Sequence, residues 1–427
     1  MAVEEEPSPK RRAAEGVRRT AACASPASWA LAEETSARLE TPAAYAAEDG
    51  EAPESLECFA ALLHGDQQEY FAYACVLGHR LSMMSPGPDR VLLCGPGCFG
   101  ESSAAREALR QAGWNRLVPV EAISAPHLDK TKAKRHALVF TKLRVLELPY
   151  ERVLLLDLDL LPRSGADVRE IMQVAAPAAK YYCSGYMGPE PCHSEPIAAE
   201  LRHGRPWCPN AGVLRLDPRR GSRSERRAEV AAMVAEIEAR EVPTFLPEQY
   251  YLAERLDGWR HIDKHWNWEV WPEWDDPWVM EPSGEACEMA QRKGWAGYYM
   301  GNRPAAVPDG AEVLRRVRVW HFSGSWDTAP WMFQDAADAD EVRREAAQVF
   351  RARDPGGVVA AALGEWREAL EQLLAESHSA MAMAPLRTAV KELAAKAREA
   401  RLRRWLCDGC GEPRARIREL CEAPAAA

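Results

Sequence analysis

The sequence predicts an α/β protein: a mixed, mostly parallel sheet with flanking helices, followed by a C-terminal helical extension. Three observations predict it. Short apolar runs alternate with helical stretches from Leu56 onward, the pattern of βαβ units. The runs stop at Gly, Pro or Asp, residues that close strands and open loops. One run, Arg152-Val153-Leu154-Leu155-Leu156, lacks polar alternation, as a parallel strand buried on both faces does.

The elements follow in order. Residues 1–55 are rich in Ala, Glu, Ser, Pro and Arg and poor in large apolar residues. Such a segment buries too little surface to offset its ordering entropy, so a disordered tail is expected. Phe59-Ala60-Ala61-Leu62-Leu63 followed by His64-Gly65-Asp66 reads as a strand and a loop. Glu69 to Met84 reads as a helix, ended by Ser85-Pro86-Gly87-Pro88. Arg90 to Cys94 is the next strand, Ser102 to Ala112 a helix, and Arg116 to Val120 a third strand. Phe140 to Glu147 is helical, and Arg152 to Leu156 is the fourth strand. After about residue 180, Gly, Pro and Trp become frequent and elements shorten. Residues 338–406 read as helical and charged, with apolar positions Val342, Ala346, Phe350, Trp366, Leu370 and Leu373. Three segments are therefore expected: a tail at 1–55, the main domain at 56–337, and a helical extension at 338–427 whose last dozen residues fray.

Composition excludes some functions. The net charge is −10 over 427 residues, with 47% apolar and 28% charged residues. That balance argues against a general nucleic-acid binder, which needs a basic face for phosphates. No run of about 18 apolar residues occurs, so no membrane span is expected. The N-terminus has no apolar signal-peptide core: Glu4, Glu5 and Glu6 and a basic cluster, Lys10-Arg11-Arg12, interrupt it. A soluble, cytoplasmic protein is the expectation. Twelve cysteines fit reduced thiols in a reducing compartment. Cys407-Asp408-Gly409-Cys410 with Cys421 lacks a clear fourth ligand for a metal.

The chemistry concentrates at Asp157-Leu158-Asp159, directly after the fourth strand. In extended backbone, carboxylates two residues apart point to one side. They lie where a strand leaves the sheet, the place open α/β sheets put ligands. They also interrupt an apolar run, where an unpaired charge is costly. A divalent cation would explain them. Oxygen ligands of this kind hold magnesium or manganese and leave positions open for a diphosphate. The competing reading is a capping Asp beside a solvated one.

The surrounding residues form a longer block. Phe140-Thr141-Lys142-Leu143, Leu148-Pro149-Tyr150-Glu151-Arg152, the strand and Asp157-Leu158-Asp159 together resemble glycosyltransferase family 8, the glycogenin-like retaining transferases. Leu158 stands where that family usually has Ala. The resemblance implies a Rossmann-like sheet of the nucleotide-diphospho-sugar transferase fold, GT-A type. It also implies a UDP-sugar donor such as UDP-glucose, manganese or magnesium, a glycan or protein hydroxyl acceptor, and retention of α configuration.

Further blocks occur in the family's order. Tyr70, before Val76-Leu77-Gly78, matches the tyrosine that stacks on uracil, with Leu62 beneath the base. Such stacking contributes roughly 1–3 kcal/mol per base; the alternative is a core-facing helix residue. Pro209-Asn210-Ala211-Gly212-Val213 resembles the turn that contacts the donor sugar, or is a plain turn before a strand. Glu248 and Gln249, in Pro247-Glu248-Gln249-Tyr250-Tyr251-Leu252, match groups that orient the sugar. An acid favoured by the helix macrodipole is the competing account of Glu248. His265-Trp266-Asn267 sits where the family has a Tyr-Asn pair. Val319-Trp320-His321-Phe322-Ser323-Gly324, with Pro330-Trp331, resembles the motif whose histidine is the third metal ligand and whose glycine meets the phosphates.

The resemblance thus assigns Asp157, Asp159 and His321 to the metal. It assigns Leu62, Tyr70, Arg135, Lys142, Leu158, Asn210, Ala211, Gly212 and Gly324 to the donor, together with the two aspartates. Asp157, Asp159, Lys142, Glu248 and Gln249 carry the catalytic expectations. One departure stands out. Ser325-Trp326-Asp327-Thr328-Ala329 is longer than the family's segment and lacks its phosphate-binding lysine; Lys142 and Arg135 offer substitute charge. Trp266, Trp268, Trp271, Trp274 and Trp278 either stack on acceptor rings or pack a core. Two other readings compete: a nucleotidyltransferase or phosphohydrolase, for which His64-Gly65-Asp66 is a poor phosphate loop, and a catalytically impaired binding or scaffold protein, which the missing lysine favours.

Overall fold

The computed structural model describes residues 55–84, 87–98, 102–125, 138–183, 193–197, 207–218, 221–240, 247–270, 310–323, 329–333, 336–350, 356–377 and 379–407. The expected tail and the final residues, with Cys410 and Cys421, lie outside the described residues, as do Arg135, Gly324, Trp271, Trp274 and Trp278.

The first four strands are β1 (Glu57–Leu63), β2 (Asp89–Cys94), β3 (Arg116–Pro119) and β4 (Arg152–Leu156). They form a parallel set in the order β3-β2-β1-β4. Three more strands extend it beyond β4: β6 (Ala178–Cys183), β7 (Trp207–Leu216) and β8 (Arg260–His261). The full order is β3-β2-β1-β4-β7-β6-β8. β7 runs antiparallel to both β4 and β6, while β8 is parallel to β6. The sheet is thus mixed and mostly parallel. A smaller sheet joins β5 (Leu160–Pro162), β9 (Trp268–Glu269) and β10 (Val319–His321) in the order β5-β10-β9.

The order reverses beside β1. The chain steps outward from β1 through β2 to β3, then returns to place β4 on the other side of β1. Ligands of open α/β sheets bind at the carboxyl ends of strands at such a switch point. β1 ends at Leu63 and β4 at Leu156, so the loops that follow them, at His64 and Asp157, share this crevice.

Both faces of the sheet are covered. On β1, Phe59, Ala61 and Leu63 enter one core and Cys58, Ala60 and Leu62 the other, which explains the unbroken apolar run. The first core holds helix α1 (Gln68–Ser82). Every residue from Phe71 to Leu81 of α1 is buried, as expected of a helix enclosed on all sides. Gly78 makes room there: a Cβ would stand 2.5 Å from Nε1 of Trp114. That indole nitrogen donates to the Ala74 carbonyl at 2.8 Å.

The helices α2 (Ser103–Gln111), α3 (Arg169–Met172), α4 (Arg223–Glu238), α5 (Pro247–Arg255) and α6 (Gly310–Arg316) follow. The C-terminal helices α7 (Ala339–Val349), α8 (Val358–Glu376) and α9 (Ala384–Cys407) add to the α1 core. Val342, Ala346, Phe350, Trp366, Leu370 and Leu373 are all buried. α8 also reaches the smaller sheet: Glu365 binds the Arg163 guanidinium at 2.7 Å and accepts from Trp320 Nε1 at 3.0 Å.

The segment expected to be helical before β4 is a 3-10 helix, Val139–Glu147. One local expectation changes. The pair Asp157 and Asp159 lies in a turn rather than in extended backbone, with Leu160 N donating to Asp157 O at 3.3 Å. That turn transfers the chain from β4 in the large sheet to β5 in the small one.

Candidate active site

The turn after β4 is held from both sides. Asp157 N donates to Gly212 O at 2.9 Å, continuing the β4–β7 ladder. Asp159 O accepts from Phe322 N at 2.8 Å, which ties the turn to the end of β10. Leu158 turns its side chain into the core, so the carboxylates on either side remain at the crevice. One ligand atom each from Asp157, Asp159 and His321 lies within 4.8 Å of the others. His321 Nε2 is 3.3 Å from Asp159 Oδ1.

Two hard carboxylate oxygens and one imidazole nitrogen suit manganese or magnesium. Gly212 supports this fit. A Cβ on it would stand 2.5 Å from Cε1 of His321, so only glycine leaves room for the ring. The ring itself is buried at 4% exposure, and its Nδ1 lies 2.7 Å from Asn267 Oδ1.

Lys142 projects from the 3-10 helix to Asp157 Oδ1 at 2.6 Å and Glu248 Oε1 at 3.8 Å. Glu248 sits in the first turn of α5, where the helix dipole favours an anion. Burial alone would lower the Lys142 pKa. The carboxylates of Asp157, Glu248 and Asp159 outweigh it and raise the pKa above the usual lysine value. Burial pushes the Glu248 carboxyl up, against the pull of Lys142. Burial would also raise Asp159, but His321 and Lys142 overcome it and hold the carboxyl below its usual range. His321 is displaced upward: Asp159 outweighs the burial that opposes its charge. His64 is displaced downward by burial and by Lys142, which favours a neutral ring beside the cation.

The remaining site residues divide between crevice and interior. Tyr70 is half-buried at the start of α1, its ring 5.8 Å from that of His64. Gln249 is half-buried beside Glu248. Leu62 and Ala211 are buried in the second core. The Asn210 side chain is turned inward: its Oδ1 accepts from Gly212 N at 2.9 Å and from Asn267 Nδ2 at 2.8 Å. Trp266 and Trp268 pack in the first core.

Sequence reasoning missed Lys180 and Glu269. Their side chains pair at 2.7 Å, each 8% exposed. Glu269 also receives hydrogen bonds from Asn210 Nδ2 at 3.4 Å and Ser323 Oγ at 3.2 Å. Burial would raise its pKa, but Lys180 and His321 hold it low. The signal was available: Glu269 lies between Trp268 and Val270, a carboxylate in an apolar run as at Asp157.

No family model matches the chain, and no curated protein matches it. Solved glycosyltransferases are similar at a distance. A galactosyltransferase, LgtC, in complex with donor and acceptor sugar analogues is 16% identical, covers 73% of this chain and 99% of its own, and has a TM-score of 0.38. The glycosyltransferase GlyE of Streptococcus pneumoniae TIGR4 is 14% identical over 76% of this chain and 65% of its own, TM-score 0.38. Mouse xyloside xylosyltransferase 1 is 13% identical over 62% of this chain and 98% of its own, TM-score 0.35. The fold class rests on the chain itself: a mixed α/β sheet with a carboxylate–histidine cluster at its switch point.

Proposed function

We propose that this protein is a metal-dependent glycosyltransferase that moves a hexose from a UDP-sugar to an acceptor hydroxyl with retention of α configuration. The observation that carries the reading is the convergence of Asp157, Asp159 and His321 with Lys142 beside them. Asp157, Asp159 and His321 hold the divalent ion, manganese or magnesium. When bound, that ion supplies positive charge to the departing diphosphate. Lys142 adds a fixed cation for the same developing charge. Tyr70 offers an aromatic face to the uracil, and Glu248 with Gln249 orients the sugar. Residues 56–337 form the catalytic domain and 338–427 the C-terminal extension, whose helices α7, α8 and α9 add to the α1 core.

The donor panel is the direct test. UDP-glucose, UDP-galactose, UDP-xylose and their GDP counterparts are incubated with manganese, and release of the nucleoside diphosphate is followed. Uridine-selective, manganese-dependent release supports the reading, and NMR of the anomeric proton in the transfer product checks retention. The lack of a lysine between Gly324 and Pro330 favours a second reading, donor binding without turnover. Manganese-dependent UDP binding with no release from any donor would select it.

A further inference from the structure

A buried polar chain lies behind His321, and its hydrogen atoms can be assigned from one end. The starting point is the backbone N–H of Gly212, which can only donate. It meets the Asn210 side chain at 2.9 Å, so the atom facing it is the amide oxygen. The same oxygen faces Asn267 at 2.8 Å, so Asn267 presents its NH2 there. The opposite end of Asn210 is then its NH2, and it meets Glu269 Oε1 at 3.4 Å, an acceptor. Each step agrees with the next. Asn267 is left with one free atom, its oxygen, 2.7 Å from His321 Nδ1. An oxygen cannot donate, so Nδ1 carries the hydrogen.

The consequence falls on the other ring nitrogen. In the neutral ring, Nε2 then has a lone pair, and it faces Asp159 Oδ1 at 3.3 Å. Two acceptors at that distance repel in a buried site; a proton taken up on Nε2 or a metal cation shared between them satisfies both. Asn267 is fully buried and Asn210 is 9% exposed, so neither can turn toward solvent for another partner. The Lys180–Glu269 pair anchors the far end of the chain.

We infer that Asn267 and Asn210 are positioning residues that fix His321 as its Nδ1–H tautomer, so that Nε2 is the nitrogen offered to a divalent cation. The inference rests on the metal reading above for its purpose, but not for its geometry. Nitrogen-15 NMR of the His321 side chain tests the geometry in metal-free protein, at a pH where the ring is neutral. A His321→Gln variant assigns the signals. The wild type is expected to show protonated Nδ1 and bare Nε2; Asn267→Leu, similar in size without the acceptor, is expected to show mixed tautomers. Manganese binding, read by electron paramagnetic resonance, is expected to weaken about 10–100-fold in Asn267→Leu. Asn267→Asp keeps an acceptor on Nδ1 but sets a carboxylate oxygen against Asn210. It should melt earlier than wild type yet bind manganese within a few-fold of it. A wild-type ring protonated on Nε2, an unchanged tautomer in Asn267→Leu, or metal affinity that merely follows melting temperature across both variants would overturn the inference. If the wild type binds no manganese, the metal reading fails, and the tautomer measurement still decides the positioning role.

Discussion

Two charged clusters meet at the candidate active site, and they differ in depth. In front, Lys142 bridges Asp157 and Glu248, with exposures of 16%, 24% and 9%. Behind, Lys180 and Glu269 are each 8% exposed, and Glu269 accepts hydrogen bonds from Asn210 and Ser323. A carboxylate that reaches solvent, as Asp157 does, can exchange partners. A buried pair is costly to break, because removal of one member strands the other. The difference underlies the division of roles in the proposed function: the front cluster gives up internal partners to a ligand, and the rear one holds the ligating side chains in place.

Removing a charge from the rear cluster should have the largest effect on stability. Lys180→Met is expected to destabilise by about 3–5 kcal/mol in urea unfolding, since Glu269 is left buried and unpaired. Lys142→Met, at the front, is expected to cost less than Lys180→Met: it leaves Glu248 buried without its cation, while Asp157, at 24% exposure, keeps access to solvent. Equal losses in the two variants would erase the distinction.

Gly212→Ala probes the contact between the clusters. Its Cβ would stand 2.5 Å from the His321 ring, so the ring must move. A loss of roughly 1–3 kcal/mol is expected from overpacking, together with at least tenfold weaker manganese binding by calorimetry.

Function should reverse the order. Lys142→Met is expected to lower kcat by about 100–1000-fold, the scale of losing one preorganised electrostatic group, in a steady-state assay with the best donor. A change below threefold would remove Lys142 from the chemistry.

The smallest effect is one of pH. Asp159 is held below its usual range in the folded protein. Its contribution to stability is therefore present above the unfolded pKa, near 4, and is lost as pH falls through the folded value. The stability gap between wild type and Asp159→Asn, measured in EDTA, should narrow below about pH 4. A gap that widens there would contradict the assigned direction.

The front of the site was more legible in the sequence than the rear. Asp157 and Asp159 break an apolar run, and His321 closes a short strand, so local pattern exposed them. Their convergence was only partly legible, because the turn between the two sheets replaces the expected extended backbone. Lys180 and Glu269 stand 89 positions apart, and no local pattern pairs residues at that distance. Asn210 was legible as a residue of the site, but its inward orientation depends on Asn267 on another strand-flanking segment. The direction of β7 was hidden for a similar reason: a run buried on both faces reads alike in parallel and antiparallel pairing. The C-terminal apolar positions were legible from helical spacing, whereas their partner, the enclosed helix α1, required the tertiary structure.

The most direct measurement is calorimetry of the full chain with UDP, with and without manganese, on wild type and Asp159→Ala. Wild type should bind UDP only when manganese is present, and Asp159→Ala should lose that binding while its circular dichroism spectrum is unchanged. A wild-type protein that binds no UDP in manganese, or an Asp159→Ala variant that binds it as well as wild type, would contradict the account.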